Sequence, residues 1–324
     1  MGSTSIMINR TEQDIIKNWQ VVDKPVLSVC CTTYNHENYI SDALDGFLMQ
    51  DTDFPFEVIV RDDCSMDNTV GILREYVDKF PRIIKPIYET ENQFSKGVKP
   101  MPVVYKKAVG KYFALCEGDD YWTDPLKLQI QVDFLEENQD YIVTYTSLEA
   151  FDKSGVIKNY IAGVTYDLDS MELKKAKALN TLTTCFRNVL NDFPPEFECA
   201  KTGDLFLWSL LGHYGKGKFL DNIKPSRYRI HEQGLFSKKT RKHQLTMISI
   251  THFALCSYYL RINNAYLSNF FYVEGLTNSL KANGKSFYFK YIWWLIRQSI
   301  VDILIKLRLR DPILRLILFF KSRL

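Results

Sequence analysis

Three acids stand together in "LCEGDDYWTDP" (115–125): Glu117, Asp119 and Asp120, directly behind a short apolar run. Like charges crowded this way repel, so a ligand must offset the repulsion. Carboxylates are hard oxygen donors that suit divalent cations such as Mg2+ or Mn2+. Such ions keep open positions and share phosphate oxygens, so the cluster reads as a clamp on a metal and a diphosphate. A bound cation removes the repulsion and stabilises charge growing on a departing phosphate. Residues two apart at a strand end point the same way. Glu117 and Asp119 can therefore face one ligand, with Asp120 beside them on the turn. A second acidic pair, Asp62-Asp63, ends another apolar run, "FEVIVR" (56–61). The bland alternative is a solvated acidic turn, and two clusters on neighbouring strand ends weigh against it.

The elements that must carry these acids alternate. "PVLSVCCTTYN" (25–35) reads as a buried strand ending in polar residues. Ile40, Ala43, Leu44, Phe47 and Leu48 then mark one face of a helix. After the strand at 56–61, Ser65 or Asp67 can cap a helix whose apolar face is Val70, Leu73, Val77 and Phe80. "RIIKPIY" (82–88) is a weaker strand that Pro86 places near an edge. A short helix over 102–109, a strand over 111–116, a helix from Asp124-Pro125 to about Asn138 and a strand over 141–148 follow. This order predicts an α/β fold, a mostly parallel sheet with helices on both faces. Ligands bind such sheets beyond the carboxyl ends of the strands. There Thr32–Asn35, Asp62-Asp63 and Glu117–Asp120 would meet. Beyond 150 the pattern is less regular: a helix near Asp204 closed by Gly, then a strand and loop over 218–234. From about 240 it is helical to the end, with a break at 281–286.

"SVCCTTYNHENYISDALDGFLMQ", "FEVIVRDDCSMDNT", "GKYFALCEGDDYWTDPLKLQIQVDFLE" and "TGDLFLW" together resemble the family 2 glycosyltransferases, nucleotide-sugar enzymes of the GT-A fold that generally invert the anomeric centre. The resemblance covers roughly residues 25–235, with four motifs in the family's order. It implies that Thr32, Thr33, Tyr34 and Asn35 contact the nucleotide. Asp63 would accept the imide hydrogen of the base, usually uracil, while Asp62 braces the loop. Glu117-Gly118-Asp119 matches the family's DxD element, with Glu in place of the first Asp. Which of Glu117, Asp119 and Asp120 holds Mn2+ or Mg2+ stays open. Asp204 matches the catalytic base. As a residue alone, an acid at a helix start is equally a charge complement to the helix. His231, in "RYRIHEQG", resembles a segment that reaches the metal or diphosphate, and Arg227 and Arg229 are candidates to neutralise phosphate. Trp122 and Trp208 suit core packing better than stacking on a sugar. The family's processive Gln-x-x-Arg-Trp signature is absent, so single transfers are expected.

Formal net charge is +3 over 324 residues, but residues 285–324 hold nine Lys or Arg and two Asp. A basic tail thus follows a mildly acidic body. In 286–324, Arg297, Asp302 and Lys306 interrupt every apolar run, so a spanning helix is not expected. Basic residues on one face and Trp293, Trp294, Phe319 and Phe320 suit a helix lying on an anionic bilayer. Seven scattered cysteines with no CxxC pair point to a reducing compartment. The expected location is cytoplasmic, on the inner face of the membrane, with a glycan or lipid-linked acceptor and no nucleic-acid partner. The expected division is 1–24 as an extension, 25–238 as a GT-A catalytic domain (donor half 25–125, acceptor half 126–238) and 239–324 as a helical region. Two rivals remain. A nucleotidyltransferase would usually carry a Gly-rich basic loop after the first strand, which "TTYNHEN" lacks. A catalytically silent glycan- or nucleotide-binding protein would have no need of Glu117, Asp119 and Asp204. A dehydrogenase is excluded because no GxGxxG follows the first strand.

Overall fold

A computed structural model describes residues 10–284, apart from 21–23, 159, 161, 162, 191, 233 and 235–238. The capped turn α1 (Glu12–Ile16) leads to β1 (Leu27–Thr33), which is buried along nearly its whole length. Strand β2 (Phe56–Asp62) is buried throughout. Strands apolar on both faces belong inside a parallel sheet, where helices cover each side. Helices α2 (Ile40–Leu48) and α3 (Thr69–Lys79) make the first crossovers, and β3 (Ile84–Tyr88) closes the sheet at one edge, with Pro86 in it. Next come α4 (Pro100–Tyr105), β4 (Tyr112–Leu115), α5 (Lys127–Glu137) and β5 (Tyr141–Tyr145). β6 (Leu148–Asp152), β7 (Gly155–Val156), α6 (Ser170–Lys174), β8 (Cys185–Arg187), α7 (Gly203–Leu211), β9 (Lys216–Phe219) and β10 (Ser226–Arg229) follow.

The main sheet has the order β3-β2-β1-β4-β8-β5-β9. Every neighbouring pair is parallel except those of β8, which runs against both β4 and β5. A smaller sheet, β10-β6-β7, lies over the carboxyl end, joined to the main body by a bridge between Tyr121 and Arg227. Side chains alternate across β1. Val29 and Cys31 enter a core with Ala43, Leu44 and Phe47 of α2 and Trp122, whereas Cys30 enters a second core with Phe206, Trp208 and Leu255. Helix α8 (Arg241–Arg261) and a helix over 265–284, here α9, pack on that second core. Among the described residues, no helix is long and apolar enough to cross a membrane. The basic amphipathic tail expected over 286–324 lies outside the described residues.

Local details differ from expectation. Helix α5 runs from Lys127 and not from Pro125. Asp124 instead holds the turn ahead of it, its Oδ1 accepting from Leu126 N at 3.0 Å and its Oδ2 from Lys224 N at 2.9 Å. The helical stretch after 240 breaks at 262–264, where Asn263 takes a left-handed φ of 59° and Asn264 Oδ1 caps Leu267 N.

Asp45 on α2 accepts a 2.7 Å hydrogen bond from Tyr76 Oη on α3. Burial pushes its carboxyl from 3.8 up to about 6. The folded state then holds a proton that the unfolded chain has released, so stability falls as pH rises from about 4 to about 6. A pocket lined by Arg10, Tyr76 and Lys79 lets solvent screen part of the effect. Asp45→Asn keeps the acceptor for Tyr76. It should stabilise by about 1–2 kcal/mol at pH 7 and by nothing near pH 4. Denaturant titrations at the two pH values check this, and equal gains at both would refute it.

Candidate active site

The parallel register sets Thr33 opposite Asp62 and Cys30 opposite Leu115. The turn after β4 folds back on β1, with Gly118 N donating to Thr32 O at 3.0 Å. Gly118 is needed for this approach, because a Cβ there would lie 2.9 Å from Thr33 Cβ and Oγ1. The three polar clusters therefore share one rim, as the alternating pattern predicts.

The first cluster is held by the second. Asn35, with a left-handed φ of 55°, donates its N–H to Ser65 Oγ at 2.8 Å and accepts Met66 N on Oδ1 at 2.7 Å. Asp62 in turn receives Ser65 Oγ at 2.5 Å and Ser65 N at 2.9 Å, so its carboxylate braces the loop. Asp63 is largely engaged. Its Oδ1 accepts Arg61 Nη2 at 2.7 Å and Gln93 N at 3.0 Å, and its Oδ2 accepts Phe94 N at 3.0 Å. A carboxylate offers about four acceptor sites, so one is left for a ligand. Tyr34 is exposed, and the buried Thr33 Oγ1 has no hydrogen-bond partner.

Asp119 meets two imidazoles. His231 Nε2 donates to its Oδ2 at 2.8 Å, and His36 Nε2 stands 3.8 Å from the same oxygen. One ligand atom from each of His36, Asp119 and His231 falls within 4.8 Å of the others. Both Nδ1 atoms are buried without a hydrogen-bond partner. Burial opposes ionisation of Asp119, but the His231 hydrogen bond and the two imidazoles outweigh it and hold the carboxyl below its usual value. Burial pulls the His36 pKa down, against the attraction of Asp119. The set of two nitrogens and one carboxylate oxygen fits a divalent first-row metal. His36 was missed in the sequence reading, although it sits one residue beyond the strand-end segment Thr32–Asn35.

Asp120, expected as a ligand, lies outside that set. Its Oδ1 accepts Arg229 N at 2.7 Å, and burial, then Asp119 and Glu117, push its carboxyl well up. Arg229, a candidate to neutralise phosphate, is held by protein groups. Its Nε donates to Asp119 O at 2.9 Å, its Nη2 to Asp42 Oδ2 at 2.6 Å, and its guanidinium lies over the rings of Phe151 and Tyr39 at 4.7 and 4.8 Å. It ties the acidic turn to α2 and to the strand that leads into His231. Arg227 is paired with Glu149 at 2.8 Å.

Glu117 accepts Thr181 Oγ1 at 2.8 Å. Burial first, then Asp119, pushes its carboxyl up to about 7, and the charge of Asp204 acts in the same direction. Asp204 sits in the first turn of α7, where burial raises its pKa against hydrogen bonds from backbone N–H groups at the helix start. Trp122 and Trp208 are wholly buried and donate to Leu182 O and Leu179 O, so both are core residues.

A mostly parallel α/β sheet with an acidic turn at its strand ends is the architecture of the GT-A glycosyltransferases. The chain belongs to glycosyl transferase family 2, whose sequence pattern matches residues 28–199. An uncharacterized protein of Mycobacterium tuberculosis is 43% identical over 130 residues, 40% of this chain and 37% of that one. The putative teichuronic acid biosynthesis glycosyltransferase TuaG of Bacillus subtilis is 33% identical over 153 residues, 46% of this chain and 57% of TuaG. The matched region thus spans less than two thirds of either relative. Among solved structures, Staphylococcus aureus TarS in complex with UDP-GlcNAc aligns with a TM-score of 0.53 at 21% identity, over 70% of this chain and 66% of that one. The mannosyltransferase PcManGT of Pyrobaculum calidifontis, in complex with GDP-Man and Mn2+, aligns at 0.51 and 16% identity, over 91% and 84%.

Proposed function

We propose that this glycosyltransferase is metal-dependent and inverting, takes its sugar from a UDP-sugar and delivers it to a hydroxyl of a glycan or lipid-linked acceptor. The observation that carries the reading is the convergence of His36, Asp119 and His231 on one rim that also holds Glu117, with Asp204 close enough to act on the Glu117 charge. His36, Asp119 and His231 would hold the cation. Two imidazoles favour Mn2+ over Mg2+, which prefers oxygen donors and its own waters. Bound there, the metal would neutralise charge on the leaving diphosphate. Thr32–Asn35 and the free acceptor site of Asp63 bind the nucleotide, and Glu117 with Thr181 faces the ribose. Asp204 takes the proton from the acceptor hydroxyl as its oxygen bonds to the anomeric carbon and the carbon–phosphate-oxygen bond breaks on the opposite face. The composition of residues 286–324 supports placing this reaction at the inner membrane surface.

Thermal shift with a panel of nucleoside diphosphates and nucleotide sugars, with Mn2+, Mg2+ or EDTA, tests the reading. UDP or a UDP-sugar with Mn2+ should stabilise by about 2.7 kcal/mol at a hundredfold excess over Kd, and less with Mg2+. If no uridine ligand shifts the melting temperature with Mn2+ present, the donor assignment fails.

A further inference from the structure

A pocket of about 390 Å³ opens between the stretch after β3 and the loop ahead of α7. Lys96, Lys99 and Lys106 line it, with Glu198 as its one acid. Lys96 is paired with Glu91 at 2.5 Å, whereas Lys99 and Lys106 make no ion pair among the described residues. Lys99 is half-buried. It donates to Ala200 O and lies 5.8 Å from the centre of the Phe197 ring, so two of its three N–H donors remain. Burial, then the nearby charge of Lys201, disfavours its charged form, and Glu198 only partly offsets this. A partly desolvated ammonium beside a second lysine, with no carboxylate bound to it, is an electrostatically incomplete site.

The pocket's position gives this charge a use. The Phe197 ring that Lys99 overlies approaches to 3.2 Å of the space a side chain at Gly203 would fill, and Asp204 is the next residue. Ala200 and Asp204 are four residues apart and thus at most roughly 14 Å apart along the chain. The loop between them is fixed, because Lys201 N, Thr202 N and Thr202 Oγ1 all donate to Thr251 Oγ1 at 2.8 to 3.0 Å. The opposite wall begins at Lys96, two residues after Phe94, whose N–H donates to Asp63. The lysines thus neighbour the loop that leads into Asp204, and none of them belongs to the set His36, Asp119 and His231.

We propose that this pocket binds an anionic group, phosphate or carboxylate, of the acceptor, so that the enzyme transfers its sugar onto a negatively charged glycan. This rests on Asp204 being the base that faces the acceptor. Lys99 and Lys106 supply charge-assisted hydrogen bonds, and Lys201 adds to the field that draws the anion in.

Calorimetric titration in EDTA, without donor, separates this claim from the catalytic one. The probes are oligo(glycerol phosphate), oligogalacturonate, a neutral maltooligosaccharide of matched length, and inorganic phosphate. The expected result is that one or both anionic oligomers bind, the neutral one does not, and inorganic phosphate binds at least about tenfold more weakly than the better oligomer. Lys99→Gln/Lys106→Gln should weaken the oligomer about a hundredfold, roughly tenfold per lysine, with an unchanged melting temperature. Asp119→Ala should leave oligomer binding intact. A phosphate-only preference among the oligomers identifies a phosphate acceptor, and a uronate preference a carboxylate one. The proposal is overturned if the neutral oligomer binds equally well, if inorganic phosphate matches the oligomers, if the double variant binds normally, or if binding is lost in Asp119→Ala instead.

Discussion

Asp119→Ala is expected to abolish Mn2+ binding and, with it, metal-dependent binding of the nucleotide diphosphate. Asp119 Oδ2 is the one atom toward which both imidazoles turn, at 2.8 and 3.8 Å. Without it, two neutral nitrogens remain and no anionic ligand among the three. Changing groups that merely orient a metal ligand typically costs 10–100-fold in affinity, so losing the anionic ligand should cost more than about 100-fold. Asp120 cannot substitute, because Arg229 N holds its Oδ1 and its carboxyl is biased toward the neutral form. His36→Ala provides the finer distinction. If His36 is a ligand, Mn2+ affinity falls and the preference for Mn2+ over Mg2+ narrows, because a nitrogen donor has gone. Electron paramagnetic resonance titration of free Mn2+ measures both. Wild-type affinity in Asp119→Ala would remove the metal site from the rim.

The strand ends were legible because their signals are local. Buried runs such as Leu27–Thr33 and Phe56–Asp62 end abruptly in polar residues, and a parallel sheet then forces those ends to one side. What sequence could not show is where each polar side chain spends its hydrogen bonds. Arg229 looked like a phosphate contact, yet its partner Asp42 lies 187 residues away, and no spacing rule joins them. Asp63 was expected to meet the base, and what its neighbours in sequence do not announce is that the backbone of Gln93 and Phe94 also closes on it from a loop with no regular pattern. The three-residue strand Cys185–Arg187 escaped notice because it is too short for an alternating signal, and it enters the sheet antiparallel between β4 and β5. His36 was missed for a different reason. A single histidine carries no ligand signal until His231 comes to face it with a ring-centre separation of 6.0 Å.

Asp204→Asn is expected to keep donor and metal binding and to lose about 10²–10⁴-fold in kcat, the usual contribution of a positioned general base. Two readings of this residue compete, and they predict opposite pairs of results. If Asp204 serves only as a charge complement to α7, the amide variant should lose a few tenths to about 1 kcal/mol of stability and keep its rate. If Asp204 is the base, its charge is held in a partly buried position that desolvation disfavours, with hydrogen bonds from backbone N–H groups at its own helix start. Removing that charge should then leave the melting temperature unchanged or raise it while the rate falls. The pH profile adds an independent check. A base must be ionised to accept a proton, so the wild-type rate should fall as pH drops, with a midpoint above the ordinary carboxylate value of 3.8. That acid limb should vanish from the residual rate of Asp204→Asn. Single-turnover kinetics with preloaded donor separate binding from chemistry. Transfer by the amide variant at the wild-type rate, with a lowered melting temperature, would return Asp204 to the role of a helix-start charge.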